Sequence, residues 1–145
     1  MYNIMKSRIR YLFFIIFAML PVLFIFPYGK YRCTHKEFKD PLETPLFWGL
    51  DGWSATHFFW FMFLGITFPN YFILATLLGI IWELFENYYG KARPGWLGGY
   101  GDCDGLASDK KEDGNWWYGK WSDIACNITG FLIGQFIRTR RIYLY

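Results

Sequence analysis

Charge is missing from four long stretches of this chain, and that absence restricts the fold more than any motif does. Residues 11–27 form an uncharged run of seventeen, residues 71–82 are wholly uncharged, and residues 124–137 carry no charge. Residues 53–72 contain His57 as their one group that titrates near neutral pH. A chain of 145 residues has room for one domain, and 54% apolar with 24% aromatic residues exceeds the usual composition of a soluble one. A hydrocarbon core takes about 20 residues of helix, or about 17 at the short end. The runs therefore predict an all-α fold, a polytopic transmembrane bundle of four helices with spans near residues 11–27, 52–68, 71–88 and 120–137.

The first run follows Lys6, Arg8 and Arg10, as the core of a signal peptide would. It is longer than the usual 7 to about 15 apolar residues, and no small-x-small cleavage pattern follows it, so a transmembrane helix is expected. Pro21 marks a kink within it. Orientation follows from the tails: Lys6, Arg8 and Arg10 at one end and Arg138, Arg140 and Arg141 at the other carry no acid among them. With an even number of spans both termini are cytosolic by the positive-inside rule. Loops 28–51 and 89–119 then lie outside, and Pro69-Asn70 is the short inner turn.

That topology sorts the polar residues. Asp51 and His57 fall at the outer end of the second span. Glu83, Glu86 and Asn87 fall at the outer end of the third, spaced i, i+3 and i+4 so that all three project from one helical face. Asp123 and Asn127 occupy the first turns of the fourth, also i, i+4. Ionisable groups at the edge of a bilayer are costly and are kept mainly where they meet one another, an ion or a water cavity. Carboxylates with amide oxygens are hard ligands suited to calcium or magnesium, and a single histidine beside them is suited to general-base work. A divalent ion at the headgroup level has the phosphate of a lipid as its natural substrate. The plain alternative is that these groups hydrogen-bond the helices together.

Asp51-Gly-Trp-Ser-Ala-Thr-His57-Phe-Phe-Trp followed by Trp82-Glu83-Leu84-Phe85-Glu86 resembles the core of the eukaryotic base-exchange phosphatidylserine synthases. The resemblance continues through Trp116-Trp117 to Asp123-Ile124-Ala125-Cys126-Asn127 and covers about residues 51–138. Those enzymes are much larger, so the chain would correspond to their catalytic portion. The spacing Asp123-x3-Asn127-x2-Gly130-x3-Gly134 is instead similar to VanZ-like small membrane proteins. The synthase resemblance implies calcium-dependent head-group exchange on a phospholipid substrate, with magnesium or manganese as alternative ions, in the endoplasmic reticulum membrane. It implies His57 as base with Asp51 holding its ring, Glu83, Glu86 and Asp123 as ion ligands, and Asn87 and Asn127 as substrate-binding amides. The VanZ-like resemblance implies binding of a lipid or lipophilic ligand without turnover.

Other signals are weaker. The acidic, glycine-rich segments 101–105 and 109–115 lack the ligand spacing of a calcium-binding hand and read as a solvated loop or a lid. Cys33 and Cys103 fall in the outer loops, where they either pair or remain thiols; Cys126 reads as a small buried side chain. Gly130 and Gly134 permit close helix contact, either inside the bundle or between two copies of the chain. No internal repeat, nucleotide-binding glycine loop or nucleic-acid motif is present, and the basic tails read as topology signals or contacts to anionic lipid.

Overall fold

The computed structural model describes residues 2–35, 39–92 and 119–145. Among them the chain is all-helical: α1 spans Tyr2–Thr34, α2 Gly52–Thr67, α3 Phe72–Ala92 and α4 Trp121–Thr139, with a 3-10 turn at Pro41–Glu43. The segment expected as the start of the first outer loop is helical instead, because α1 runs through Pro21 and Pro27 to Thr34. The acidic segments 101–105 and 109–115, Cys103 and the side chain of Cys33 lie outside the described residues. Cys126 is a half-buried free thiol.

By length and composition, one helix among the described residues is long and apolar enough to cross a membrane, α1 over Arg8–Gly29. α2 has 16 residues, α3 ends in the turns that carry Glu83 and Glu86, and α4 opens with Asp123 and Asn127. Large apolar side chains nevertheless face outward from all four helices, among them Leu12, Phe24, Phe59, Ile73, Leu84 and Ile137.

Local chemistry sets the helix ends. Asp51 is the N-cap of α2, and its carboxylate accepts the Ser54 N–H at 2.9 Å, supplying a partner for one of the donors a helix start leaves open. At the other end the Phe68 N–H bonds to the Leu64 carbonyl at 2.7 Å, and Pro69 then turns the chain into α3. α4 stops at Arg140, which takes the left-handed conformation with φ 58°.

Packing is closest between α2 and α4. A Cβ on Gly130 would run into the Phe58 carbonyl oxygen, one on Gly134 into that of Met62, and one on Gly65 into that of Phe131. Three glycines on two helices therefore bring the backbones into direct contact, and the Gly130/Gly134 pair serves the inside of the bundle. Phe131, Leu64 and Ala75 join α4, α2 and α3 in a buried core that Phe14 of α1 completes.

α1 touches the remainder near both ends. At its amino-terminal half Phe14 lies 5.4 Å from Phe68 and stacks on Tyr71 at 5.0 Å, while Phe17 lies 5.9 Å from Phe68. Further along, the Tyr28 hydroxyl donates to Asp40 at 2.6 Å, and the Tyr28 ring packs edge-on against Trp53. Asp40 also accepts from Trp53 Nε1 at 3.0 Å and from the Leu42 N–H at 2.8 Å, so one buried carboxylate ties α1, the 3-10 turn and α2 together.

Gly130→Ala tests the α2–α4 contact. The added methyl has a backbone carbonyl opposite it, so the helices must separate, at about 1–3 kcal/mol, the usual cost of overpacking. Thermal or denaturant unfolding of the variant beside an exposed control such as Thr129→Ala should show the loss at Gly130 alone.

Candidate functional site

The polar groups gather where α2 and α4 begin and α3 ends. Asp51 stands just before α2, so its carboxylate reaches the start of α4, where it pairs with Lys120 Nζ. Ser54 lies one turn into α2 with its hydroxyl between two carboxylates, 2.5 Å from Asp123 Oδ1 and 3.2 Å from Asp51 Oδ1. One hydroxyl proton serves one acceptor, and the shorter contact goes to Asp123. Asp51 is supplied by the Ser54 N–H and by Lys120.

His57 projects one turn further along α2. Its Nδ1 lies 3.0 Å from Asn127 Oδ1, an atom that can only accept, so Nδ1 carries a hydrogen and, in the neutral ring, Nε2 keeps the lone pair. The orienting residue for the ring is therefore Asn127, whereas the sequence reading gave that part to Asp51. The N-cap geometry explains the difference, since it directs Asp51 to Ser54 and Lys120.

Glu83 comes in from α3. Its Oε2 accepts the Lys120 N–H at 2.8 Å, and its Oε1 lies 3.6 Å from His57 Nδ1. Glu83 is 4% exposed, yet among the described residues Oε1 has no hydrogen-bond partner, and neither does Asn127 Nδ2. Burial of such a group is costly and calls for a compensating interaction. His57, Glu83 and Glu86 each offer one ligand atom, all within 4.8 Å of one another. A bound cation would supply what Glu83 Oε1 lacks, and the carboxylate oxygens of Glu83 and Glu86 suit a hard divalent one, with His57 beside it.

The expected site residues thus divide. Asp51, His57, Glu83, Glu86, Asp123 and Asn127 converge at one level of the bundle. Asp123 stands outside the His57–Glu83–Glu86 group because its carboxylate is turned to Ser54. Asn87 is exposed, with its Cβ beside Gly119, so the structure does not bring it to the others. Ser54 and Lys120 are members that the sequence reading missed. The Asp51-x-x-Ser54 spacing, that of an N-cap and the third helical residue, was the available signal for Ser54; for Lys120 there was none beyond its place ahead of an apolar run.

A cavity of about 920 Å³ opens beside these groups. Residues 18–22 and 24–25 form its α1 wall, Phe59, Trp60 and Leu64 line it from α2, and Leu78 and Trp82 line it from α3. Asp51, His57, Glu86, Lys120, Asp123 and Asn127 also border it. The space is therefore amphiphilic, with hydrocarbon along its length and ionisable groups at one end. Comparison of the chain with protein-family models, with curated proteins and with solved structures gives no match.

Asp51 carries a pH-dependent part of the stability. Burial opposes its charge, but hydrogen bonds from Lys120 and Ser54 and the charge of Lys120 outweigh this and hold its carboxyl below the usual aspartate value. A depressed folded value gives stability that is present above the unfolded aspartate value and is lost as pH falls through the folded one. Lys120→Met should therefore destabilise near neutral pH, by roughly 1 kcal/mol, the pair being only part-buried and partly screened by solvent. The difference from the unsubstituted protein should shrink in acid, as unfolding curves at the two pH values will report.

Proposed function

We propose that the chain is a four-span membrane bundle that transfers a phospholipid head group, exchanging it for serine or a similar amino alcohol, with a divalent cation held at the end of the cavity. The observation that carries this reading is the buried Glu83 Oε1, without a hydrogen-bond partner among the described residues, grouped with His57 and Glu86, which line the polar end of an apolar cavity. The membrane part rests on the outward-facing apolar side chains of all four helices and on the composition of α1. The choice of reaction rests on the resemblance of residues 51–138 to the base-exchange synthases.

In this reading Glu83 and Glu86 would hold the cation, which would supply charge neutralisation to the phosphate. His57, with Nδ1–H fixed by Asn127, takes the proton of the incoming hydroxyl on Nε2 as that oxygen bonds to phosphorus. The bond to the departing amino alcohol breaks, and the same nitrogen returns the proton to it. The hydrocarbon walls take the acyl chains. Lys120 and Ser54 keep Asp51 and Asp123 compensated, so that Glu83, whose Oε1 has no donor among the described residues, is the carboxylate left to face a cation.

Purified protein in liposomes of phosphatidylcholine and phosphatidylethanolamine, given labelled serine, should move label into lipid only when calcium, or magnesium or manganese in its place, is present. His57→Ala should lower incorporation by about 10²–10⁴-fold, the usual worth of a positioned base, while retaining cation binding. Loss of both from a folded variant would make His57 a ligand instead of the base.

Glu83→Gln is near-isosteric and removes the charge that the cation needs. Calorimetric titration with calcium and with manganese should show binding abolished in this variant and present in the unsubstituted protein. Cation binding by folded protein without incorporation of any amino alcohol would favour the VanZ-like alternative, a membrane protein that holds a lipophilic ligand without turnover.

A further inference from the structure

We infer that the end of the bundle opposite the carboxylates is a docking surface for anionic phospholipid headgroups, built from exposed arginines around a carboxy-terminal tail that Gln135 holds in place. The inference rests on the membrane-bundle reading and is independent of the reaction.

Charge is segregated along the chain. All 12 acids lie within residues 37–51, 83–86 and 102–123. None lies on the amino-terminal half of α1, in the α2–α3 turn, or from residue 124 to the end. Those three segments meet. The Tyr11 and Tyr71 rings are 5.1 Å apart and Phe14 stacks on Tyr71 at 5.0 Å, which places the amino-terminal half of α1 at the α2–α3 turn. Gln135 Nε2 donates to the Pro69 carbonyl, which places the end of α4 at the same turn. Arg8, Arg10, Arg138, Arg140 and Arg141 are all exposed there.

A topology signal needs only charge on one side, not fixed positions. Here the positions are fixed. Gln135 is fully buried, and it donates to the Tyr143 carbonyl at 3.0 Å while accepting the Tyr143 N–H at 2.7 Å. The Thr139 hydroxyl oxygen accepts the Arg141 N–H at 3.2 Å, and its one proton is shared between the Gln135 and Arg141 carbonyls, each at 2.8 Å. Arg140, between them, takes the left-handed backbone that reverses the chain. A buried amide whose hydrogen bonds go to the tail and the neighbouring turn presents three arginines in one arrangement. Guanidinium groups match phosphate oxygens with paired hydrogen bonds, and the lipid surface on this side supplies phosphates with net negative charge.

The test uses the full chain in neutral detergent micelles with equal amounts of phosphatidylserine and phosphatidylcholine of identical acyl chains, read by native mass spectrometry as the ratio of the two lipids retained. The unsubstituted protein should favour phosphatidylserine, and replacing Arg138, Arg140 and Arg141 together by Gln should remove the preference, on the order of fivefold for each arginine. Tyr143→Pro keeps every formal charge and removes the N–H that Gln135 accepts, together with the Tyr143 ring; it should lose most of the preference too, as should Gln135→Leu where it folds, whereas Tyr143→Ala, which removes the ring and keeps the N–H, should retain it.

Equal retention of both lipids by the unsubstituted protein would overturn the inference. So would a preference that survives Tyr143→Pro, since charge alone would then explain it. Capture of heparin with no preference between the lipids would assign the surface to a soluble polyanion and overturn it as well. Glu83→Gln, which disables the opposite end, should leave the lipid ratio unchanged, so failure of the proposed reaction and failure of this inference are told apart.

Discussion

The approach of α2 to α4 is the constraint on which the remainder depends. Gly65, Gly130 and Gly134 let the two backbones touch, and that contact sets the register between His57 on one helix and Asn127 on the other. The same register puts Ser54 against Asp123 and Lys120 within reach of Asp51. A larger residue at any of the three glycines would displace every one of these pairs together, because rigid helices pass a shift along their length. Packing between small residues is thus the foundation of the polar chemistry.

Burying four carboxylates at one level is the main cost of this arrangement. Hydrogen bonds meet part of it: Asp51 has the Ser54 N–H and Lys120, Asp123 has the Ser54 hydroxyl, and Glu83 has the Lys120 N–H on one oxygen. Glu83 is the least compensated of them, since its Oε1 has no donor among the described residues and a surplus of negative charge remains there. In the proposed function a divalent cation takes up that surplus. An uncompensated set of buried acids would be poor adhesive for a bundle, since removal of a charge from water is repaid only by good partners.

α1 stands apart in character. It meets the other helices through aromatic rings toward its amino terminus and through Tyr28, Asp40 and Trp53 toward its carboxy terminus, and the cavity lies along the stretch between. That arrangement gives the bundle an internal apolar space without loosening the α2–α4 pair. An amphiphile with a charged head would find hydrocarbon walls and ionisable groups in one continuous volume, which is the physical reason for reading the protein as one that acts on lipid.

The amino-acid sequence by itself determined the helical elements and the level at which the polar residues meet. Uncharged runs separated by Pro69-Asn70 and by charged loops prescribe where helices lie, and residue spacing prescribes which side chains share a face. Only the tertiary structure decided partners. Spacing alone placed Asn87 beside Glu83 and Glu86, yet Asn87 lies at the exposed edge of α3 next to Gly119, because a face of a helix is wider than the contact made with its neighbour. Asp51 was legible as a site residue but not as a helix cap bound to Lys120, a residue 69 positions away. The direction of the Gly130/Gly134 face, left open by the sequence, followed from which backbone came near it. Local rules act within one helix, whereas ion pairs, orphaned oxygens and cavities exist only once separate helices are brought together.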